Sequence, residues 1–158
     1  MSSARRAVKL DIAIRKMTRE DLAIVSRLEK EIFSDPWPAR SFTEILDDEQ
    51  WGALVAEHGS EVIGYACYMV VLDEAHLANI ATVPSYRRKS VAKQLLERIL
   101  DIVIDLKCGI LLLEVRPSNR EALDFYRKYG FMELYRRPNY YRRPVEDALI
   151  MVRYLDTE

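Results

Sequence analysis

The segments AHLANIATV (residues 75–83), PSYRRKS (84–90), VAKQLLERILDIVID (91–105) and ILLL (110–113) decide the fold when read as one unit. Ile110-Leu111-Leu112-Leu113 is an unbroken apolar run behind Gly109, the pattern of a strand buried on both faces. Before it, Val91, Leu95, Leu96, Ile99, Val103 and Ile104 recur on one helix face, and Lys107-Cys108-Gly109 closes that helix. Residues 75–83 form a further apolar strand that Pro84 ends. Strand, crossover helix and strand make a βαβ unit with two parallel strands.

Working outward, Ile12 and Ile14 alternate with charged neighbours as a short strand over 11–16. Thr18 and Asp21 then mark a helix start, and Leu22, Val25, Leu28, Glu29 and Ile32 carry the helix over 19–33. Asp35-Pro36-Trp37-Pro38 breaks it before a shorter helix over 39–47. Leu54-Val55-Ala56, the turn at His58-Gly59 and the Val/Ile/Tyr-rich run 61–72 read as a hairpin. Beyond the βαβ unit, Ser118 and Glu121 have capping-box spacing for a helix with Ala122, Phe125, Tyr126 and Tyr129 on its apolar face. Two strands, near 131–137 and 146–155, flank a loop holding Pro138, Asn139, Tyr140 and Tyr141. The expectation is a mixed α/β fold, with a central mixed sheet of about seven strands flanked by four helices. Residues 11–155 make one domain and residues 1–10 a flexible lead-in.

Composition narrows the function. The 158 residues suit one domain, and 49% hydrophobic with 31% charged residues marks a globular chain with a real core. A formal charge of −1 argues against bulk nucleic-acid binding. Locally, Arg116, Arg120, Arg127, Lys128, Arg136, Arg137, Arg142 and Arg143 outnumber Glu121, Asp124 and Glu133, which reads first as a solvated basic face. No apolar run reaches the roughly 18 residues of a membrane helix, and nothing resembles a secretory leader. Cys67 and Cys108 offer neither a disulfide framework nor metal-ligand spacing, so the cytoplasm is the expected compartment. His58 and His76 lack companions at ligand spacing, and no metal is expected.

Three features carry chemistry. Arg87, Arg88, Lys89 and Lys93 surround a helix start that Ser90 opens, a place where free N–H groups suit a pyrophosphate; the alternative is a solvated basic turn. Glu114 closes the buried strand, a poor place for a core residue; the alternative is a strand-end acid in solvent or paired with Arg116. Tyr126 lies among apolar neighbours, where packing explains it as well as function does.

The stretch Ala81-Thr82-Val83-Pro84-Ser85-Tyr86-Arg87-Arg88-Lys89-Ser90-Val91-Ala92 resembles the acyl-CoA-binding motif of the GCN5-related N-acetyltransferases, the GNAT superfamily. Arg87 and Ala92 fit that pattern, whereas Ser90 stands where the family has glycine. Residues 73–81, Leu113-Glu114-Val115-Arg116-Pro117-Ser118-Asn119, Leu123-Asp124-Phe125-Tyr126, Asn139-Tyr140-Tyr141 and Glu146-Asp147-Ala148 are similar to the RimI-type ribosomal-protein-alanine N-acetyltransferases, over residues 11–152.

The resemblance implies the GNAT fold and transfer of acetyl from acetyl-CoA to the N-terminal α-amine of a protein. The acceptor it implies is an alanine on a small-subunit ribosomal protein. It makes Glu114 the general base and Tyr126 the proton donor to the departing thiolate. Acetyl-CoA would lie against Ile80, Ala81 and Thr82, the loop Arg87, Arg88, Lys89 and Ser90, the helix start Val91, Ala92 and Lys93, and Asn119. Phe33 and Trp37, with Tyr140 and Tyr141, would flank the acceptor peptide. Direct attack is expected, because no Cys or Ser stands beside a motif base. Two rivals stay open: another acceptor (a different N-terminus, a lysine, a small amine), or a non-catalytic CoA-binding or protein-binding module with a loop altered at Ser90. At Ser90 the expectation is an ordinary backbone with the serine capping the helix.

Overall fold

The computed structural model describes residues 10–156. Most of the lead-in, residues 1–9, lies outside the described residues, while Leu10 packs against the core. The described strands form one seven-stranded sheet in the order β1-β2-β3-β4-β5-β7-β6. Its members are β1 (Ala13–Lys16), β2 (Trp51–His58), β3 (Glu61–Val71), β4 (Glu74–Thr82), β5 (Ile110–Val115), β6 (Met132–Arg142) and β7 (Val145–Tyr154). β4 and β5 are parallel, and the other pairs are antiparallel. The four α-helices among the described residues are α1 (Leu22–Ile32), α2 (Ala39–Leu46), α3 (Val91–Asp105) and α4 (Arg120–Lys128).

The sheet separates two cores. On one face Val91, Leu95, Leu96, Ile99 and Val103 of α3 and Leu123 and Tyr126 of α4 meet Leu111, Leu113 and Val115 of β5. On the other, Val25 and Leu28 of α1 and Phe42 and Ile45 of α2 meet Ala53, Val55, Tyr65 and Cys67. Each buried leucine or isoleucine contributes about 1.5–3 kcal/mol, so the α3 seam alone dominates its half. Gly64 of β3 allows α3 to sit this close: a Cβ there would lie 2.7 Å from Val91 Cγ1 and 2.9 Å from the Ala81 carbonyl oxygen.

Three local expectations are corrected. Ser118 and Glu121 do not form a capping box: Asn119 caps α4 by accepting from the Ala122 amide at 3.1 Å, and Ser118 donates instead to Glu146. A carboxylate already fixed on the neighbouring strand outcompetes a mobile one in the first helical turn. Residues 138–141 are not a loop. They lie within β6, and the register shift between Arg137 and Tyr141 absorbs Pro138 and Asn139, whose φ is +51°. The first helix also starts one turn later, behind a 3₁₀ turn at Arg19–Asp21.

Candidate active site

β4 and β5 pair only from Glu74↔Ile110 to Leu77↔Leu113. Beyond that point β4 stays paired to β3 as far as Thr82, with Ala78 unpaired in a bulge between Leu77 and Asn79. The backbone of Ile80, Ala81 and Thr82 therefore has one ladder satisfied and one edge facing the gap. An extended arm carrying amide groups can pair with that edge, and a thioester lying there meets backbone N–H donors that stabilise developing negative charge.

At the end of that gap, Arg87, Arg88, Lys89 and Ser90 are exposed, and Val91 is buried at 1% with only its backbone at the helix start. The amides of Val91, Ala92 and Lys93 open α3 without helical acceptors. This loop corrects the expectation for Ser90. Its φ is +69°, left-handed, and its side chain makes no capping hydrogen bond. Arg88 is also left-handed, at +64°. Serine thus bears the Cβ cost of a left-handed backbone that a glycine at this position would avoid.

Glu114 lies on the face opposite α3 and α4, because its neighbours Leu113 and Val115 are in their core. It does not pair with Arg116, which instead reaches Glu146 at 3.4 Å and the carbonyl oxygens of Arg143 and Pro144, and stacks 4.2 Å over the Tyr141 ring. Around Glu114 Oε1 stand His76 Nε2 and Arg137 Nη1, each at 3.8 Å. His76, the Tyr140 hydroxyl and Arg137 hold its carboxyl below the usual range, outweighing the effect of burial. The side chain remains 23% exposed, open to a ligand.

Tyr126 stands across the sheet from Glu114, 7% exposed, with its ring against Phe125 and Phe131. Burial, and then the nearby Tyr141, push its phenol well above 10. That widens the gap to a thiol near 8.5, so Tyr126 can donate a hydrogen bond to a thiolate far more easily than a full proton. Tyr126 and Glu114 thus lie on opposite faces of the sheet. Asn119 sits at the start of α4, its carbonyl used by the cap.

Ser34 and Glu29 tie the segment of the expected acceptor residues Phe33 and Trp37 to its surroundings. Ser34 Oγ donates to the Arg143 carbonyl at 3.0 Å, tying the Phe33–Trp37 segment to the β6–β7 turn. Trp37 packs on Phe42 and Trp51, and its amide donates to Glu29 at 2.9 Å. Tyr140 and Tyr141 meet edge-on at 5.1 Å. Glu29, 2% exposed, also accepts from Tyr65 (2.7 Å) and Asn79 (2.9 Å), so it binds α1, the Trp37 segment and the β4 bulge into one unit. A lone acid among the apolar positions of the first helix was its signal.

Cys67 and Cys108 are buried, and burial pushes both thiols up, Cys67 to about 12. Neither is a thiolate nucleophile near neutral pH. Among the described residues no group of three His, Cys, Asp or Glu could hold a metal, and no helix is long and apolar enough to cross a membrane.

Comparison with known proteins agrees with this geometry. The model of the acetyltransferase (GNAT) family matches residues 22–131. A putative [ribosomal protein bS18]-alanine N-acetyltransferase of Bacillus subtilis is 36% identical, over 91% of this chain and 96% of the relative. The [ribosomal protein bS18]-alanine N-acetyltransferase of Escherichia coli is 34% identical, over 87% and 94%. The crystal structure of the Escherichia coli ribosomal-protein-S18-alanine N-acetyltransferase superposes with a TM-score of 0.87 at 31% identity, covering 94% of this chain and 96% of that one. With its splayed parallel strands, its basic helix start and these relatives, the chain belongs to the GNAT acetyltransferase family.

Proposed function

We propose that this protein transfers acetyl from acetyl-CoA to the α-amine of an N-terminal alanine, with ribosomal protein bS18 as the acceptor, in the cytoplasm. The observation that supports the reading is the parting of β4 and β5, with Glu114 on one face of the sheet, Tyr126 on the other and the Arg87–Lys93 helix start beyond β4. Acetyl-CoA supplies the activated acyl group. The chain's part is to bind and orient. Arg87, Arg88, Lys89 and the amides of Val91, Ala92 and Lys93 take the pyrophosphate. The edge of Ile80, Ala81 and Thr82 takes the extended arm, and Asn119 borders it.

On the acceptor side, Phe33, Trp37, Tyr140 and Tyr141 confine the peptide, and the anionic Glu114 draws in the terminal ammonium and begins its deprotonation. An α-ammonium titrates at about 7.7–8.0 and a lysine near 10.4. The former gives up its proton to a carboxylate at much smaller cost, which favours an N-terminus over a lysine. The buried, unreactive cysteines leave direct attack of the amine as the route. CoA release against peptides with free N-terminal alanine, and against the same peptides with that amine blocked and an internal lysine, tests the reading. Acetyl found only on lysine moves the acceptor to the side-chain class. Acetyl-CoA binding without any CoA release leaves a binding module.

A further inference from the structure

We propose that Arg116 is a positioning residue for the acetyl transfer: it holds Tyr141 and the β6–β7 turn against the end of β5, so that the acceptor peptide meets a fixed wall beside Glu114. The proposal deepens the acetyl-transfer reading and rests on it. Arg116 stands two residues beyond Glu114, just past the end of β5 at Val115. Its guanidinium joins several partners. Nη1 donates to the Pro144 carbonyl at 2.9 Å and reaches Glu146 Oε1 at 3.4 Å, and Nη2 donates to the Arg143 carbonyl at 3.2 Å. The guanidinium carbon lies 4.2 Å from the centroid of the Tyr141 ring. Glu146 is fixed in turn by the Ser118 amide (2.7 Å) and hydroxyl (2.8 Å), and the Arg143 carbonyl also accepts from Ser34 of the Phe33–Trp37 segment. Three pieces of chain thus meet at one side chain: the end of β5 that carries Glu114, the end of β6 that carries Tyr141, and the segment that carries Trp37.

Little else holds this corner in place. Every residue of β6 from Met132 to Tyr140 is exposed, and so are Arg142, Arg143, Pro144 and Val145. The β6–β7 register breaks between Arg137 and Tyr141. Beyond the break the ladder holds two pairs, Tyr141↔Glu146 and Arg142↔Val145, and the Asn139 amide donates to Asp147 at 3.0 Å. With no apolar core beneath it, the tip takes its position from polar contacts, and Arg116 supplies a central set of them. The residue type suits the task. A guanidinium offers five N–H donors in a flat fork and stacks on an aromatic face, whereas a lysine ammonium is a point charge with three donors. The Arg116 and Glu146 side chains are 23% and 20% exposed, so the pair is partly shielded from the solvent that weakens surface ion pairs. Tyr141 is half-buried and lies close to the reacting carboxylate: burial first, and then Glu114, push its phenol up to about 12, while Arg116 pulls the other way. A displaced Tyr141 changes the surface that the first residues of the peptide meet beside Glu114, and a misplacement of about 1 Å costs up to roughly 10²-fold in rate.

The test compares wild type, Arg116→Lys, Arg116→Ala, Tyr141→Ala and the Arg116→Ala/Tyr141→Ala double variant, with an alanine-terminated peptide and acetyl-CoA each varied in turn. Melting temperatures are measured on the same samples. Arg116→Ala leaves Glu146 on Ser118 and the Arg143 carbonyl on Ser34, so the fold should persist. We expect the peptide KM to rise roughly 10-fold in Arg116→Ala and about 5-fold in Arg116→Lys, with kcat lowered less than about threefold and the acetyl-CoA KM unchanged. Because Arg116 acts through Tyr141, the double variant should match Tyr141→Ala within about twofold instead of multiplying the two losses. Multiplied losses overturn the route through Tyr141. A purely structural role predicts a lower melting temperature and a kcat reduced in proportion to folded enzyme, with the peptide KM unaltered. That result overturns the proposal, as does an unaltered peptide KM in both Arg116 variants at full melting temperature. Wild-type enzyme that releases no CoA with any free N-terminus overturns the acetyl-transfer reading, and this role for Arg116 with it.

Discussion

Glu29 and Glu114 are two carboxylates on the same face of one sheet, and their surroundings differ in kind. Glu29 spends both oxygens on three donors of the chain: the Tyr65 hydroxyl, the Asn79 amide and the Trp37 backbone N–H. It is 2% exposed, and its function is complete without any ligand. Glu114 has His76 Nε2 and the Arg137 guanidinium at 3.8 Å, too long for strong hydrogen bonds, and an open side. Saturation, rather than burial or charge alone, separates a fastener from a reactive group. The first carboxylate holds the site's two walls together, and the second keeps lone pairs for a substrate.

The largest expected effect tests the reactive member of the pair. Glu114→Gln preserves shape and removes the anion that anchors the ammonium. Turnover should fall about 10²- to 10⁴-fold, the range for losing acid–base catalysis, with acetyl-CoA affinity unchanged by calorimetry. Full turnover from pH 6 to 8 would show that the site's carboxylate is not Glu114.

The fastener should fail differently. Glu29→Ala leaves three donors without an acceptor, each costing about 1–3 kcal/mol where it is buried, so stability should drop by about 3–5 kcal/mol in urea denaturation. Glu29→Gln keeps one carbonyl oxygen for Tyr65 and Asn79 but turns an NH₂ toward the Trp37 N–H. It should stay folded and raise KM for the acceptor peptide more than it lowers kcat. A Glu29→Gln enzyme with an unaltered peptide KM would confine Glu29 to stability alone.

The same contrast explains what the sequence could and could not disclose. The βαβ unit was legible because Ile110–Leu113 and the α3 stripe carry unambiguous periods, and all seven strands and four helices follow the expected order. Glu114 stood out by position, an acid at the mouth of an apolar strand. Glu29 did not: its partners lie 8, 36 and 50 residues away, and no local spacing encodes them. His76 carries no such signal, since its closeness to Glu114 exists only once β4 and β5 are parallel. The Tyr140–Tyr141 region reads as a loop because Pro138 and Asn139 are turn residues locally, and only pairing with β7 turns them into a bulge.

Ser90 departs from its expected conformation for the opposite reason: a local preference, serine at a helix start, loses to the loop's path. Its φ is left-handed, so the Cβ strain weighs on the folded state. Ser90→Gly should therefore stabilise the protein by about 0.5–1 kcal/mol, the relief of a left-handed Cβ less the entropy glycine regains when unfolded. Acetyl-CoA affinity should change by less than about threefold. Binding that appears only in the glycine variant would mean that the loop has lost its function in this chain.

The smallest effect concerns how Glu114 is held. Its carboxyl lies below the ordinary range because of His76 first, with Tyr140 and Arg137 adding to it. A carboxyl with a depressed folded pKa contributes stability that is complete above its unfolded pKa, near 4.3, and is lost as pH falls through the folded value. Tyr140→Phe removes one of those contributions and moves the folded pKa back toward the unfolded one. The variant should then be less stable than wild type at pH 7, and the difference should vanish in acid, once the carboxyl is protonated in both proteins. Tyr140 is 42% exposed, so solvent screens the hydrogen bond and the expected loss at pH 7 is only about 0.5 kcal/mol. Paired denaturation curves at pH 7 and pH 3 resolve it. A loss of equal size at both pH values would assign Tyr140 to packing against Tyr141, and leave His76 and Arg137 as the groups that keep Glu114 charged.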